Sequence, residues 1–251
     1  MSFAVQPPPV THLEQQQLRV ATDAGLTFWH RVRFRLVSRA ARRAGVTTLL
    51  DFGAGSGQLG DWVRTRPTPI RYLFEESSAV LDAALVGRFG EQSRSAPDAL
   101  IRSTTMVTML DVLEHIDDDS AALRQLRARM EPGTQLLITV PAFQWAFTSW
   151  DTALGHHRRY SRRRLRAVAE AAGFEVHSAA YLFPELLPLV VLRKLRRNSR
   201  THADFPNLPK VVDGAAELLS RATTALRRCW PGGTSVMALL QVPTTQPEDA
   251  S

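Results

Sequence analysis

Along most of this chain, short runs of apolar and β-branched residues alternate with longer stretches of helical periodicity. The runs 47–52, 70–74, 106–110, 135–140, 174–181 and 234–241 have the length and composition of buried strands. Helical patterns open near Gln58, Ser77, Asp117 and Ser161, each behind a glycine, serine or aspartate suited to a helix start. A Glu131-Pro132-Gly133 stop ends the third of these. Strand and helix alternating in this way predict an α/β fold, a doubly wound and mostly parallel sheet. Seven strands are expected, the third of them inside the poorly patterned stretch 87–105.

The flanks follow other patterns. Residues 1–9 end in three prolines and read as an extended tail, while 13–44 show a helical pattern rich in arginine, so 1–45 form a tail and helical cap. Residues 46–181 are the core, and 231–243 return to it as the final strand. Between them, 182–230 hold an apolar segment, a basic run at Arg193–Arg197 and a further helix at 209–228, an insertion or lid. This stretch is open to four readings: a helical lid packed on its own domain, a lining for a greasy substrate, a seat on an anionic membrane, or a dimer contact. Residues 244–251 are a polar, disordered tail.

The first strand breaks into Asp51-Phe52-Gly53-Ala54-Gly55-Ser56-Gly57 and a helix resumes at Gln58. Glycines 53, 55 and 57 leave room for a ligand against the backbone, and the helix aims free N–H groups at the same space. Gly55 to Gly60 also satisfy G-x-G-x-x-G, the dinucleotide fingerprint. Asp51 decides between the two ligand classes, because a carboxylate there repels a pyrophosphate and attracts the ammonium of a methionine moiety. Asp-x-Gly-x-Gly-x-Gly resembles the first motif of the class I S-adenosylmethionine (SAM) methyltransferases. On that resemblance Asp51, Gly53, Ala54, Gly55 and Gly57 contact the cofactor. Glu75, at the end of the second strand and about 20 residues on, caps the ribose hydroxyls, with Glu76 as the alternative. Asp98 is the candidate for the adenine contact, although the Phe-Asp pair usual ahead of the fourth strand is replaced by Thr105-Met106.

Two further strings sharpen the resemblance: Asp111-Val112-Leu113-Glu114-His115, and Glu131-Pro132-Gly133 ahead of a strand ending in Val140-Pro141. Together they are similar to the group that contains the ubiquinone-biosynthesis O-methyltransferases, over about residues 45–180. The resemblance implies a SAM-dependent methyltransferase acting on a hydroxyl of a small, lipid-linked or saccharide acceptor. Two other readings are an RNA 2′-O-methyltransferase and a catalytically silent SAM-binding subunit.

Asp111, Glu114 and His115 stand at the end of the fourth strand, and Gly155-His156-His157-Arg158-Arg159-Tyr160 follows the fifth. The pair resembles the arrangement in metal-dependent O-methyltransferases, which carried over by position implies Asp111, Glu114, His115 and His156 as ligands of a divalent cation. Asp111 stands where that pattern has glutamate. Without a metal, His115 or His156 serves as general base or acceptor contact, with Glu114 orienting a loop and Tyr160 beside them. Asp111 is counted with the cofactor pocket as well. Arg158, Arg159 and Tyr160 either bind an anionic acceptor or form the surface entrance to the next helix. Phe28-Trp29-His30-Arg31 with Arg33 either close over the cofactor or pack into the core.

Composition narrows little beyond this. With 44% apolar residues in 251, one substantial core is expected. No run of about 18 apolar residues is present, and a signal-peptide pattern is absent from the first residues, so a cytoplasmic enzyme is expected. Cys229 is the sole cysteine, excluding an internal disulfide or cysteine-based zinc site. The net charge of +7 suits phosphates or carboxylates without choosing among them. No appended nucleic-acid module accompanies it, so SAM, S-adenosylhomocysteine and an acceptor are the expected partners, with a membrane or dimer contact through 182–197.

Overall fold

The computed structural model describes residues 14–15, 17–18, 26–95, 101, 105–195 and 208–244. Helix α1 spans Phe28–Arg43, strand β1 Thr48–Phe52, α2 Gln58–Arg64, β2 Arg71–Glu75 and α3 Ala79–Phe89. After these come β3 Met106–Leu110, α4 Asp119–Ala128, β4 Gln135–Pro141, the short α5 Ser149–Ala153 and α6 Arg162–Ala171. The chain then forms β5 Glu175–Leu182, α7 Leu187–Leu195, α8 Lys210–Ala225 and β6 Ser235–Gln241.

The strands form one sheet in the order β2-β1-β3-β4-β6-β5. The first four run parallel, and β6 is antiparallel to both its neighbours. Six strands are thus present among the described residues where seven were expected. The outer edge of β2 meets an isolated bridge between Phe74 and Arg94, with the Ser95 N–H donating to the Phe74 carbonyl at 2.7 Å.

The parallel strands read as continuous apolar runs because both of their faces are buried. Leu50, Leu73, Val107 and Ile138 face α4 and α6, where Leu126 and Leu165 meet them. Their neighbours Leu49, Phe74, Met106 and Leu137 face α1, α2 and α3, packing with Val37, Val63 and Phe89. Helix starts follow local chemistry: Asp118 and Ser161 accept from Ala121 and Arg164 N–H groups. The cap of α3 is Ser78, accepting from Leu81, one residue beyond the expected Ser77.

Parallel pairing sends the ends of β1, β3 and β4 to a single edge of the sheet. The glycine turn, residues 111–115 and the loop after Pro141 all leave from that edge, the usual place for a ligand in such sheets.

Candidate functional site

The turn after β1 is held by Gly53 and Ala54 N–H groups donating to the Glu75 carbonyl, at 2.8 and 3.3 Å. Gly55 has φ +55°, and the space where its Cβ would stand is taken by the Gln17 carboxamide. A Cβ on Gly53 would instead strike Val112, so the turn abuts the segment that follows β3. Both positions are thus closed to a side chain, Gly55 by the end of the Gln17 side chain and Gly53 by Val112.

Asp51 is 3% exposed inside the sheet. Thr108 Oγ1 donates to it at 2.8 Å and Tyr72 OH at 3.0 Å. Burial pushes its pKa up to about 6, against these two hydrogen bonds and with help from the nearby charge of Glu76.

The two glutamates at the end of β2 part company. Glu75 receives a two-pronged ion pair from Arg129, at 3.0 and 2.7 Å, and so is turned away from the glycine turn. Glu76 accepts from Gly55 N–H at 2.8 Å and from Ser78 N–H at 2.9 Å. The carboxylate at the turn is thus the alternative, Glu76, and the expectation for Glu75 is corrected. Glu14 pairs with the Ser78 hydroxyl, which brings the described part of the N-terminal helical stretch over this same corner. Asp98 lies outside the described residues.

Asp111 has φ +57° and its carboxylate is ion-paired with Arg33, which also donates to Thr139 Oγ1 at 3.2 Å. The Arg33 guanidinium lies over the Trp29 ring, 3.3 Å from its centroid. Asp111 is therefore withdrawn from the expected ligand set. Of the aromatic segment, Phe28 is packed against Phe183, His30 bonds Thr27 Oγ1 at 2.8 Å, and Arg31 is spent on Asp213 and Glu217. Its aromatics pack into the core, and Arg33 alone reaches the end of β3.

Leu113–His115 form a 3₁₀ turn that buries Glu114 completely. Neither Glu114 oxygen has a hydrogen-bond partner. Burial, reinforced by Asp111, holds its carboxyl well above the usual range. His115 and His156 stand edge to face with ring centroids 4.7 Å apart. The His115 pKa falls to about 4, through burial first and His156 second, so the ring is neutral at physiological pH. One ligand atom from each of Glu114, His115 and His156 lies within 4.8 Å of the others. A shared ion with bonds of about 2.0–2.2 Å requires the outermost pair to approach by a few tenths of an ångström or more.

Asp151, at the third position of α5, is fully buried. Its Oδ1 lies 3.0 Å from His156 Nδ1, and Arg159 donates to both carboxylate oxygens, at 2.7 and 3.0 Å. Burial alone would raise the Asp151 carboxyl, but the hydrogen bonds from His156 and Arg159 outweigh it and bring the pKa down to about 2. An ionised Asp151 fixes Nδ1 as the protonated nitrogen of His156 and leaves Nε2 as an acceptor. The sequence carries no signal for Asp151 beyond the Thr148-x-x-Asp151 spacing of a helix start.

Tyr160 does not join this cluster. Its side chain is fully buried and its hydroxyl donates to Asp119 at 2.9 Å, which corrects its expected place beside the histidines. Arg158 is likewise spent, on Asp119 and the Ile116 carbonyl, and Arg159 on Asp151. Neither arginine is left for an anionic acceptor.

Residues 27–179 match the family described as a methyltransferase domain. Among curated proteins no relative matches. A chain of the complex between the Haloferax volcanii Trm112 methyltransferase activator and its methyltransferase is 13% identical, covering 96% of this chain and all of that one at a TM-score of 0.60. A Galdieria sulphuraria protein described as a sarcosine dimethylglycine methyltransferase is 12% identical, with 92% and 98% covered and a TM-score of 0.60. The 4+2 cyclase SpnF is 18% identical, with 93% of each chain covered and a TM-score of 0.54. Identities this low show the fold alone, and a fold does not fix an acceptor.

Proposed function

The chain belongs to the methyltransferase-domain family of class I SAM-dependent enzymes, and from that premise we propose that it methylates a hydroxyl of a small, lipid-linked or saccharide acceptor beside His115 and His156. The observation that carries this reading is the imidazole pair itself, with Asp151 presenting His156 Nε2 as a proton acceptor. The glycine turn would hold the cofactor, with Glu76 taking its ribose hydroxyls. Asp51, expected to meet the methionine end of the cofactor, is instead buried with its carboxylate held by Thr108 and Tyr72, and supports the strand end through them. The described residues of 1–45 cap those of 46–181, and the described residues of 182–230 cover the acceptor side, the two linked through Arg31 with Asp213 and Glu217.

Methyl transfer to oxygen is an in-line displacement. The acceptor oxygen forms the new C–O bond, the C–S bond of the sulfonium breaks, and neutral S-adenosylhomocysteine leaves. The hydroxyl proton passes to His156 Nε2, and the Asp151 carboxylate stabilises the imidazolium that results. His115, held neutral, accepts or donates a hydrogen bond without adding charge next to the sulfonium.

A metal-assisted version is favoured by one observation, the two unpartnered oxygens of buried Glu114. Glu114, His115 and His156 would hold a divalent cation of the magnesium, manganese or zinc class, which would lower the pKa of a bound hydroxyl. Asp111 is outside this set.

Both versions are tested by following the labelled methyl group of SAM into a panel of phenols, sugars and lipid-linked sugars. His156→Ala is expected to lose at least 100-fold in transfer while keeping SAM affinity. Transfer to amines alone would overturn the hydroxyl reading, and loss of transfer on chelation with SAM binding intact selects the metal version.

A further inference from the structure

Among the described residues, every strongly exposed large apolar side chain except Trp145 lies between Leu189 and Leu226, in or directly beside the two helices between β5 and β6. Along α8 and its C-cap, Val211, Ala215, Leu218, Ala222 and Leu226 recur every three or four residues and are all exposed, 84% for Val211 and 68% for Leu218. That spacing makes one continuous stripe. The other face of α8 is already used: Asp213 and Glu217 pair with Arg31 and Arg35, and Ser220 and Thr223 hold Glu185. Glu185 belongs to a 3₁₀ turn, Pro184–Leu186, that packs against both α7 and α8, and α7 adds exposed Leu189 and Leu192. Apolar surface gathered this way marks an interaction face.

Charge selects the partner. Residues 187–228 contain nine Lys/Arg and three Asp/Glu, a net +6 out of the chain's +7. Two of those three acids, Asp213 and Glu217, are consumed by arginines of α1. At the far end of the stripe, Arg227 lies close to Arg39, Arg228 and Arg43, and after burial it is the repulsion of these three neighbours that lowers its pKa. No acid is among the groups that act on Arg227, and guanidinium groups gathered in this way suit an external anion. A second copy of the chain would set one arginine cluster against another, whereas an anionic surface satisfies stripe and arginines together.

We propose that this face docks on the headgroup region of an anionic lipid bilayer, the α8 stripe with Leu189 and Leu192 entering the acyl boundary and the arginines resting on lipid phosphates. At 16 residues, α8 is about 24 Å long, and no helix among the described residues is long and apolar enough to cross a membrane. The helix lies in the plane of the interface. The docking is independent of which hydroxyl is methylated.

The test is sedimentation of the full chain with vesicles of phosphatidylcholine alone or mixed with phosphatidylserine. Partition into the mixed vesicles is expected to exceed that into phosphatidylcholine at least tenfold and to fall with added salt. Leu218→Asp with Leu219→Asp should reduce it at least tenfold, as should Arg227→Glu with Arg228→Glu. Both pairs are exposed or near the surface, and unchanged SAM binding and melting temperature show that the fold is kept. Equal or absent binding to the two vesicle types overturns the proposal. So does a dimer in sedimentation velocity that Leu218→Asp converts to monomer while vesicle binding stays the same.

Discussion

Arg33 of the first helix closes an ion pair with Asp111 at the end of the third strand, 78 residues on, while its guanidinium lies flat on Trp29. The pair ties α1 to the edge of the sheet where the candidate site stands. Arg33 is 4% exposed and Asp111 partly open, so the aspartate can regain water when its partner is removed. Arg33→Ala should therefore cost about 1–3 kcal/mol, the range for hydrogen bonds to charged groups and for a polar group left unpartnered. Urea unfolding measures it, and a loss below about 0.5 kcal/mol, the size of an ordinary surface substitution, rejects a role for the pair.

The two glutamates at the end of β2 should separate in calorimetry with SAM. Glu76→Ala is expected to weaken binding about tenfold or more, since a hydrogen bond to a charged group is worth about 1.5–3 kcal/mol. Glu75→Ala, which loses a partly exposed pair with Arg129, should stay within about twofold. The reverse order would return the ribose role to Glu75.

Gly55 has positive φ and an occupied Cβ position. Gly55→Val should abolish SAM binding, because a branched side chain is strained at this φ and displaces Gln17 from the turn that holds the cofactor. A variant that binds SAM normally shows that the cofactor does not approach this backbone.

Two histidines make the fold acid-sensitive. The His30 pKa is lowered to about 3, by burial first and then by Arg33 and Arg31, and the His115 pKa to about 4. Both are depressed below the ordinary value near 6.5, so the unfolded chain takes up protons that the native one refuses as pH falls from 6.5 to about 4 for His115 and to about 3 for His30. Their contribution is complete above pH 6.5 and is lost through that window. Asp51 works in the opposite direction, because its raised pKa of about 6 favours the native state as it protonates. His115→Gln should remove on the order of 1 kcal/mol of the wild-type loss between pH 7 and pH 5. Urea midpoints at the two pH values decide it, and equal acid losses in both proteins contradict a buried neutral His115.

Glu114 is a buried carboxyl without a hydrogen-bond partner. Replacing such a group with an apolar side chain of similar shape relieves an unsatisfied polar burial, so Glu114→Leu should stabilise the metal-free protein by about 1–3 kcal/mol. Any rise in melting temperature caused by manganese or zinc should vanish in the same variant. If the wild-type melting temperature is indifferent to both ions, the metal-assisted version fails and Glu114 is left with a positioning role.

The order of strands and helices, the glycine turn and the Leu-Glu-His string were legible in the residues alone, because each rests on local periodicity and backbone geometry. Thus β1, β3, β4 and α6 fall within a residue or two of their expected bounds, and the match to a methyltransferase domain agrees with the motif of Asp51 and the glycines. Partner choice was not legible, since it depends on register and on segments far apart in the chain. Pairing Phe52 with Glu75 places Glu75 towards Arg129 and gives the turn to Glu76. Arg33 takes Asp111, Asp119 takes Tyr160, and Asp151 takes His156. Each pairing settles which of several equally plausible polar residues is spent inside the protein and which is left to meet a ligand. A linear sequence lists the charged and polar groups, but burial and distance determine where each one finds its partner.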